Sequence, residues 1–182
     1  MYILGPAAIK KSVGTLFALD SGVSADWTAS GGSPTSQTTS LLLWTAPGTG
    51  NVTIRLTATV GGVTAIHDIY VAEEEWTYIP SVPVEGTTDD VTLVHRMENG
   101  VRRGRRKVAP KMSYELRFNN RSLTEYNAAV TLFNTVGKLV PFAMQDPITN
   151  ANLAWYFDSA ITRRYGGRDN CTIDYSFRVL EA

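Results

Sequence analysis

The chain has 182 residues, 43% of them hydrophobic, 10% aromatic and 19% charged, a composition too apolar and too weakly charged for a disordered polymer. That length fits one large domain or two small ones, each able to bury a core. Formal net charge is zero, yet residues 1–75 hold three Lys/Arg against six Asp/Glu and residues 76–182 hold fourteen against eleven, an asymmetry that suits stacking or subunit assembly and arises equally from solvated charge.

Cys171 is the sole cysteine, which excludes an intrachain disulfide and a stapled secreted scaffold; within CTIDYSF it reads as a small core hydrophobe. The amino terminus, MYILGPAAIKKS, has no charged segment before its short apolar stretch, and no window approaches the roughly 18 apolar residues of a membrane span. Neither a signal peptide nor a span is expected. Synthesis and folding in a reducing cytoplasm follow, and the Asn-X-Ser/Thr triplets at Asn51, Asn120 and Asn170 are then accidental.

Residues 1 to about 73 read as a small all-β domain. Segments TLFALD, ADWTAS, SLLLWTAP, NVTIRLTATV and VTAIHDIYVA are short, rich in Thr, Val and Ile, and separated by Gly, Ser and Pro. Val52, Ile54, Leu56, Ala58 and Val60 alternate with Thr53, Arg55, Thr57 and Thr59, the period of a half-buried strand. Gly61-Gly62 supplies the two positive-φ positions of a primed hairpin turn. Trp27 and Trp44 could serve as sugar-stacking platforms, but in a small sandwich they fit core packing better.

Glu73, Glu74 and Glu75 then punctuate the chain, followed by IPSVPVEGTTDD. The domain boundary is expected between Ala72 and Pro83, giving domains 1–75 and 76–182. The three carboxylates do not repeat a calcium-loop spacing and read as solvated strand-end charge or as an acidic surface for a partner. From Val91 onward VTLVHR, KMSYELRF, AWYFDSAITRRY and NCTIDYSFRVL read as strands. Between the second and third lies one helix: Ser122 or Thr124 is the N-cap, Glu125 closes a capping box, and Leu123, Tyr126, Ala129, Val130, Phe133 and Val136 form the apolar stripe. Gly137 ends it, with Lys138 near the negative end of the helix dipole. One helix against antiparallel strands predicts an α+β domain, a curled sheet or split barrel with the helix over one side.

Arg102, Arg103, Arg105, Arg106 and Lys107 follow the turn dipeptide Asn99-Gly100, so several cationic groups are expected together at a hairpin. Three readings stand: a solvated hairpin, an inter-subunit ion-pair ring with acids such as Glu73 to Glu75, or transient contact with DNA phosphates, which needs charge and no base readout. Chemistry elsewhere is absent from the pattern. His67 and His95 lie at no metal-ligand spacing from each other or from Cys171, and no nucleophile elbow, phosphate loop, dinucleotide fingerprint or His-Glu-x-x-His motif occurs. No catalysis, metal or cofactor is expected. Tyr114, Leu116 and Phe118 alternate with Glu115 and Arg117 and read as a strand with one buried face, not as an RNA-binding platform.

Taken in order, Arg96, Asn99-Gly100, Arg102 to Lys107, Tyr114 to Phe118, Glu125, Gly137, Phe142, Asp146-Pro147, Trp155 to Phe157 and the closing strand Thr172 to Leu180 make residues 90–182 resemble the distal-tail and minor-tail proteins of long-tailed bacteriophages. Trp27, the corner Trp44 to Gly48 and Gly61-Gly62 make the first half resemble bacterial immunoglobulin-like, or PKD-like, modules. The resemblance implies a mostly β chain with one main helix: an immunoglobulin-like β-sandwich followed by an α+β split barrel of the tail-tube type. It implies a structural virion protein, made in the bacterial host, that forms a trimeric or hexameric ring at the distal end of the tail tube, leaves a channel for DNA, and contacts the tube protein and the hub proteins of the tail tip or baseplate. The alternative function is a host-surface or carbohydrate-binding virion module that uses the immunoglobulin-like half.

Overall fold

The computed structural model describes residues 1–81, 84–89, 92–96, 102–106, 111–166 and 172–182. The chain is mostly β with one helix. The first eight strands are β1 (Ile3–Leu4), β2 (Ala8–Lys10), β3 (Gly14–Leu19), β4 (Ala25–Ala29), β5 (Ser36–Thr39), β6 (Leu41–Thr45), β7 (Val52–Val60) and β8 (Val63–Ala72). They form two sheets, ordered β1-β3-β6 and β2-β8-β7-β4-β5. Phe17, Leu19, Leu42 and Trp44 from the first face Trp27, Leu56, Ala58 and Ile69 from the second in one buried core. Two apolar sheet faces closing on each other is the standard solution for strands that alternate polar and apolar residues.

Trp27 and Trp44 are fully buried, and each indole N–H finds a carbonyl, that of Thr39 at 2.9 Å and that of Gly31 at 3.0 Å. Both are core residues, which removes them as sugar platforms. Val60 pairs with Val63 across Gly61 and Gly62, whose φ values of 56° and 84° are those of the primed turn expected from the sequence. Positive φ also accounts for two of the Asn-X-Ser/Thr asparagines: Asn51 (φ 59°) and Asn120 (φ 55°) occupy left-handed positions that Asn tolerates better than most residues. Asn170 lies outside the described residues, as does Cys171.

The second half comprises β9 (Glu75–Trp76), β10 (Glu85–Asp89), β11 (Thr92–Arg96), β12 (Arg102–Arg106), β13 (Lys111–Arg121), α1 (Leu123–Val136), β14 (Phe142–Gln145), β15 (Asn152–Phe157), β16 (Thr162–Gly166) and β17 (Thr172–Glu181). Seven of the strands join as β10-β13-β17-β15-β14-β9 with β16 also on β17, while among the described residues β11 and β12 pair only with each other. Strand β17 splits the sheet. One of its edges follows β13, and the other meets β16 over Thr172–Ser176 and β15 over Val179–Glu181. The boundary expected at 75/76 falls inside β9, which continues β8 after only two residues and runs parallel to β14.

Inside the curled sheet, Phe177 meets the rings of Trp76 (5.8 Å), Phe118 (5.4 Å), Phe157 (5.1 Å) and Tyr175 (6.5 Å), separations typical of attractive aromatic contacts. The helix closes this core. Ser122 is its N-cap, accepting the Glu125 N–H at 3.2 Å, and Gly137 ends it at φ 59° with its N–H on the Phe133 carbonyl at 2.8 Å. The buried stripe differs from the expected one: it is Glu125, Ala129, Leu132 and Val136, with Tyr126 and Phe133 half-buried and Leu123 54% exposed. Glu125 explains the rotation. Its carboxylate does not turn back to the cap but accepts the Tyr175 hydroxyl at 3.0 Å and lies 3.6 Å from Arg121, which brings the 125-129-132-136 line to the sheet. Lys138 likewise donates to the Asp158 carbonyl at 3.0 Å and not to the helix end.

Leu132→Ala is expected to cost about 2–5 kcal/mol, the usual range for truncating a buried leucine, whereas Leu123→Ala should stay within about 0.5 kcal/mol as an exposed substitution. Denaturant titration of the two variants checks the assignment, and equal losses would place the buried face wrongly.

Candidate functional site

The acidic and basic residues singled out by sequence occupy different parts of the structure. Arg102, Arg103, Arg105 and Arg106 lie on β12; Lys107 and the turn Asn99-Gly100 lie outside the described residues. The register sets Arg102 opposite Arg96, Arg103 opposite His95, Arg105 opposite Leu93 and Arg106 opposite Thr92. The four arginines therefore lie along one strand of a two-stranded hairpin.

The three glutamates sit where the two halves of the chain meet. Glu73 pairs with Lys11, and Glu74 pairs with Lys10 at 2.9 Å. Hydrogen bonding from Lys11 holds the Glu73 carboxyl below its ordinary range, while burial pushes that of Glu75 up, against a smaller opposing pull from Lys10. Sequence reading missed Lys10 and Lys11 as the counter-ions, because 62 and 64 residues separate each pair. Two of the three acids are thus engaged within their own chain and not presented as a bare anionic surface.

Around them the halves approach closely. Ala8, Ala72 and Ala143 are buried together, with Tyr70 and Ala154 against them. Backbone bonds cross the seam from Ala7 N–H to the Asn152 carbonyl (3.1 Å) and from Ala143 N–H to the Glu74 carbonyl (3.0 Å). The Tyr70 hydroxyl donates to Asn51 Oδ1 (2.9 Å) and lies 3.4 Å from the Pro141 carbonyl; burial, with a lesser contribution from Tyr156, pushes its phenol up to about 12.

A groove of about 340 Å³ beside the seam is lined by Glu75, Trp76, Tyr78, Met144, Asn150 and Asn152 among others. The Trp76 indole nitrogen is buried without a hydrogen-bond partner, but it is shielded from water and so cannot serve as an open donor. Asp146 on the groove's rim is structural: its Oδ1 accepts the N–H groups of Ile148 (2.7 Å) and Thr149 (3.1 Å) and the Tyr114 hydroxyl (3.3 Å), so the Asp-Pro pair shapes the β14–β15 turn. His67 Nε2 lies 3.0 Å from the Pro6 carbonyl. Among the described residues no three His, Cys, Asp or Glu side chains converge on a possible metal position, and no helix is long and apolar enough to cross a membrane.

No family model matches the chain, and no curated protein does. Among solved structures, the chain is similar to one from the tail of an empty GTA particle with C6 symmetry. The two share 14% identity over 55% of this chain and 74% of that one, at a TM-score of 0.34.

Two buried phenols and one half-buried one bear on the alkaline limit expected of the fold. Burial raises Tyr70, Tyr114 and Tyr175, with nearby carboxylates Asp146 and Glu125 adding to the last two. A phenol raised in the folded state contributes stability that is fully present below its unfolded value of about 10 and is lost as pH rises through the folded value. Stability is therefore expected to be flat up to about pH 10 and to fall above it, with these three of the eight tyrosines titrating last by phenolate absorbance. Ionisation of all eight in one step near the ordinary value would refute this.

Proposed function

We propose that the chain is a structural component of a bacteriophage-type tail, a non-catalytic protein that assembles as a cyclic ring. The observation that carries this reading is the pair of bare sheet edges in the second half. The seven-stranded sheet ends on β9 and β10, and neither outer edge pairs with another strand among the described residues. Unpaired N–H and C=O groups along an edge invite another chain, and a head-to-tail arrangement that closes removes them all. The order hairpin, long strand, helix and returning strands supports the same assignment, as the split of β17 supports a split barrel of the tail-tube type.

In this reading residues 76–182 form the ring, a trimer or hexamer at the distal end of the tail tube that joins the tube to the hub proteins of the tip or baseplate. Residues 1–75 are an immunoglobulin-like brace. Their first strand is divided, β1 joining one sheet and β2 running parallel to β8 on the other, an arrangement compatible with a Greek-key sandwich. The mature location is the virion tail. The β11–β12 hairpin supplies cationic positions toward adjacent rings or passing DNA. Burial of Trp27 and Trp44 leaves no observation in favour of a carbohydrate-binding module.

Negative-stain imaging with mass measurement tests the ring: annular particles with a central channel are expected, either from the chain alone or on mixing with the tail proteins encoded beside it, and monomers under both conditions would refute it. Replacing Arg102, Arg103, Arg105 and Arg106 by Gln should change stability by about 0.5 kcal/mol or less while lowering the yield of infectious particles. Normal infectivity would reduce the hairpin to a solvated turn.

A further inference from the structure

We propose that the outer face of the three-stranded sheet β1-β3-β6 is a self-association surface that binds the same face of a second copy of this chain. Strand alternation fixes which residues look outward. Behind them Ile3, Phe17, Leu19, Leu42 and Trp44 fill the sandwich core, while Tyr2 (61% exposed), Leu4 (47%), Leu16 (60%), Leu41 (57%) and Leu43 (60%) stand on the opposite side. The register brings them together. Leu16 lies directly opposite Leu43, and Ala18 sits between Leu4 and Leu41, its partners on the two flanking strands. Cross-strand neighbours of this kind are close enough to form one continuous surface.

A solvated face of an antiparallel sheet ordinarily carries polar residues at these positions. Here the outward positions of the three strands are Leu4, Gly14, Leu16, Ala18, Leu41, Leu43 and Thr45, without a charge and with one hydroxyl. The five large side chains expose roughly 500 Å² of mainly apolar surface, toward the upper end of the largest patch on a typical monomer, which is often functional, and over half of the roughly 800 Å² that each partner contributes to a stable interface. Met1 (44% exposed) and Val13 (39%) at the margin extend it.

The occupant follows from the absence of charge. A flat apolar sheet is complementary to its own copy, since no like charges are opposed in a face-to-face pair and two such faces pack as the layers of a sandwich do, about 10 Å apart. The contact is isologous, with a two-fold axis through the leucines. It is independent of the ring reading, which uses the edges of the other sheet. A two-fold through the first half would pair whatever the second half makes, monomer with monomer or ring with ring.

Light scattering of the full chain across a concentration range, beside the Leu16→Lys/Leu43→Lys double variant, tests this. The wild type is expected to show at least twice the mass of the variant at equal concentration, with identical circular dichroism. A monomer doubles and a ring, which carries one such face per protomer, at least doubles, so failure of the ring reading leaves the mass difference intact. Leu16→Thr/Leu43→Thr, which keeps β-branched neutral residues, should weaken pairing at least tenfold and guards against misfolding caused by the lysines. Equal mass for wild type and folded variants would overturn the proposal. So would a wild type that stays unpaired while its leucines direct binding to phosphatidylcholine vesicles or to a neighbouring tail protein.

Discussion

Close approach at the alanine seam is the constraint on which the arrangement of the two halves depends. Ala8, Ala72 and Ala143 are each within 1% of complete burial, and side chains no larger than a methyl allow β2 and β8 to abut β14, with backbone hydrogen bonds at the flanking residues from Ala7 to Asn152 and from Ala143 to Glu74. From Ala72 the chain needs only two residues to enter β9, where Trp76 inserts edge-on against Phe118 and Phe177. The last strand of the sandwich is in this way continuous with the aromatic core of the second sheet. A tight apolar contact of this kind transmits displacement because packed interiors have no slack to absorb it, and the Lys10–Glu74 and Lys11–Glu73 pairs at its edge add orientation more than energy, being partly exposed.

The second core holds a small polar network beside its rings. Glu125 is 8% exposed on a helix face that would otherwise be wholly apolar, and the Tyr175 hydroxyl is its partner. Arg121 donates to the Ile79 carbonyl at 2.7 Å and lies over the Phe118 ring at 5.8 Å. The connector after β9, the end of β13 and the start of α1 are held by one small network. A buried carboxylate without these partners would be costly, so the network fixes the helix rotation as well as its position.

Much of this was legible in sequence. The Thr-rich alternation of β7, the Gly61-Gly62 turn, the Ser122 and Gly137 helix limits and the apolar alternation of β13 all rest on local rules of period and backbone freedom, which depend on few residues. What escaped were relations between distant positions. Nothing local announces that Lys10 and Lys11 meet Glu74 and Glu73, that Glu125 turns inward to Tyr175 fifty residues away, or that short strands such as β1, β2 and β5 exist at all, since their pairing is supplied by strands elsewhere. The expected stripe of α1 held Ala129 and Val136 but missed Glu125 and Leu132 and included the exposed Leu123, because helical period gives the stripe's width and the facing sheet gives its phase. For the basic cluster, sequence suggested a hairpin, and only the pairing of β11 with β12 supplies the register that sets Arg102 opposite Arg96 and Arg106 opposite Thr92.

Among the described residues no strand pairs with the outer edges of β9 and β10, and the sandwich leaves leucines exposed on β3 and β6. These are different incomplete surfaces, directional in the first case and non-directional in the second, and they would be completed by different operations. An edge accepts a strand in one orientation and propagates around an axis, whereas a flat apolar face is satisfied by a single two-fold and then is finished. A chain carrying both can close in one direction and pair in another without either contact competing for the other's residues, since β1, β3 and β6 share no strand with the seven-stranded sheet. The seam between the halves is what would give the two operations a fixed relation.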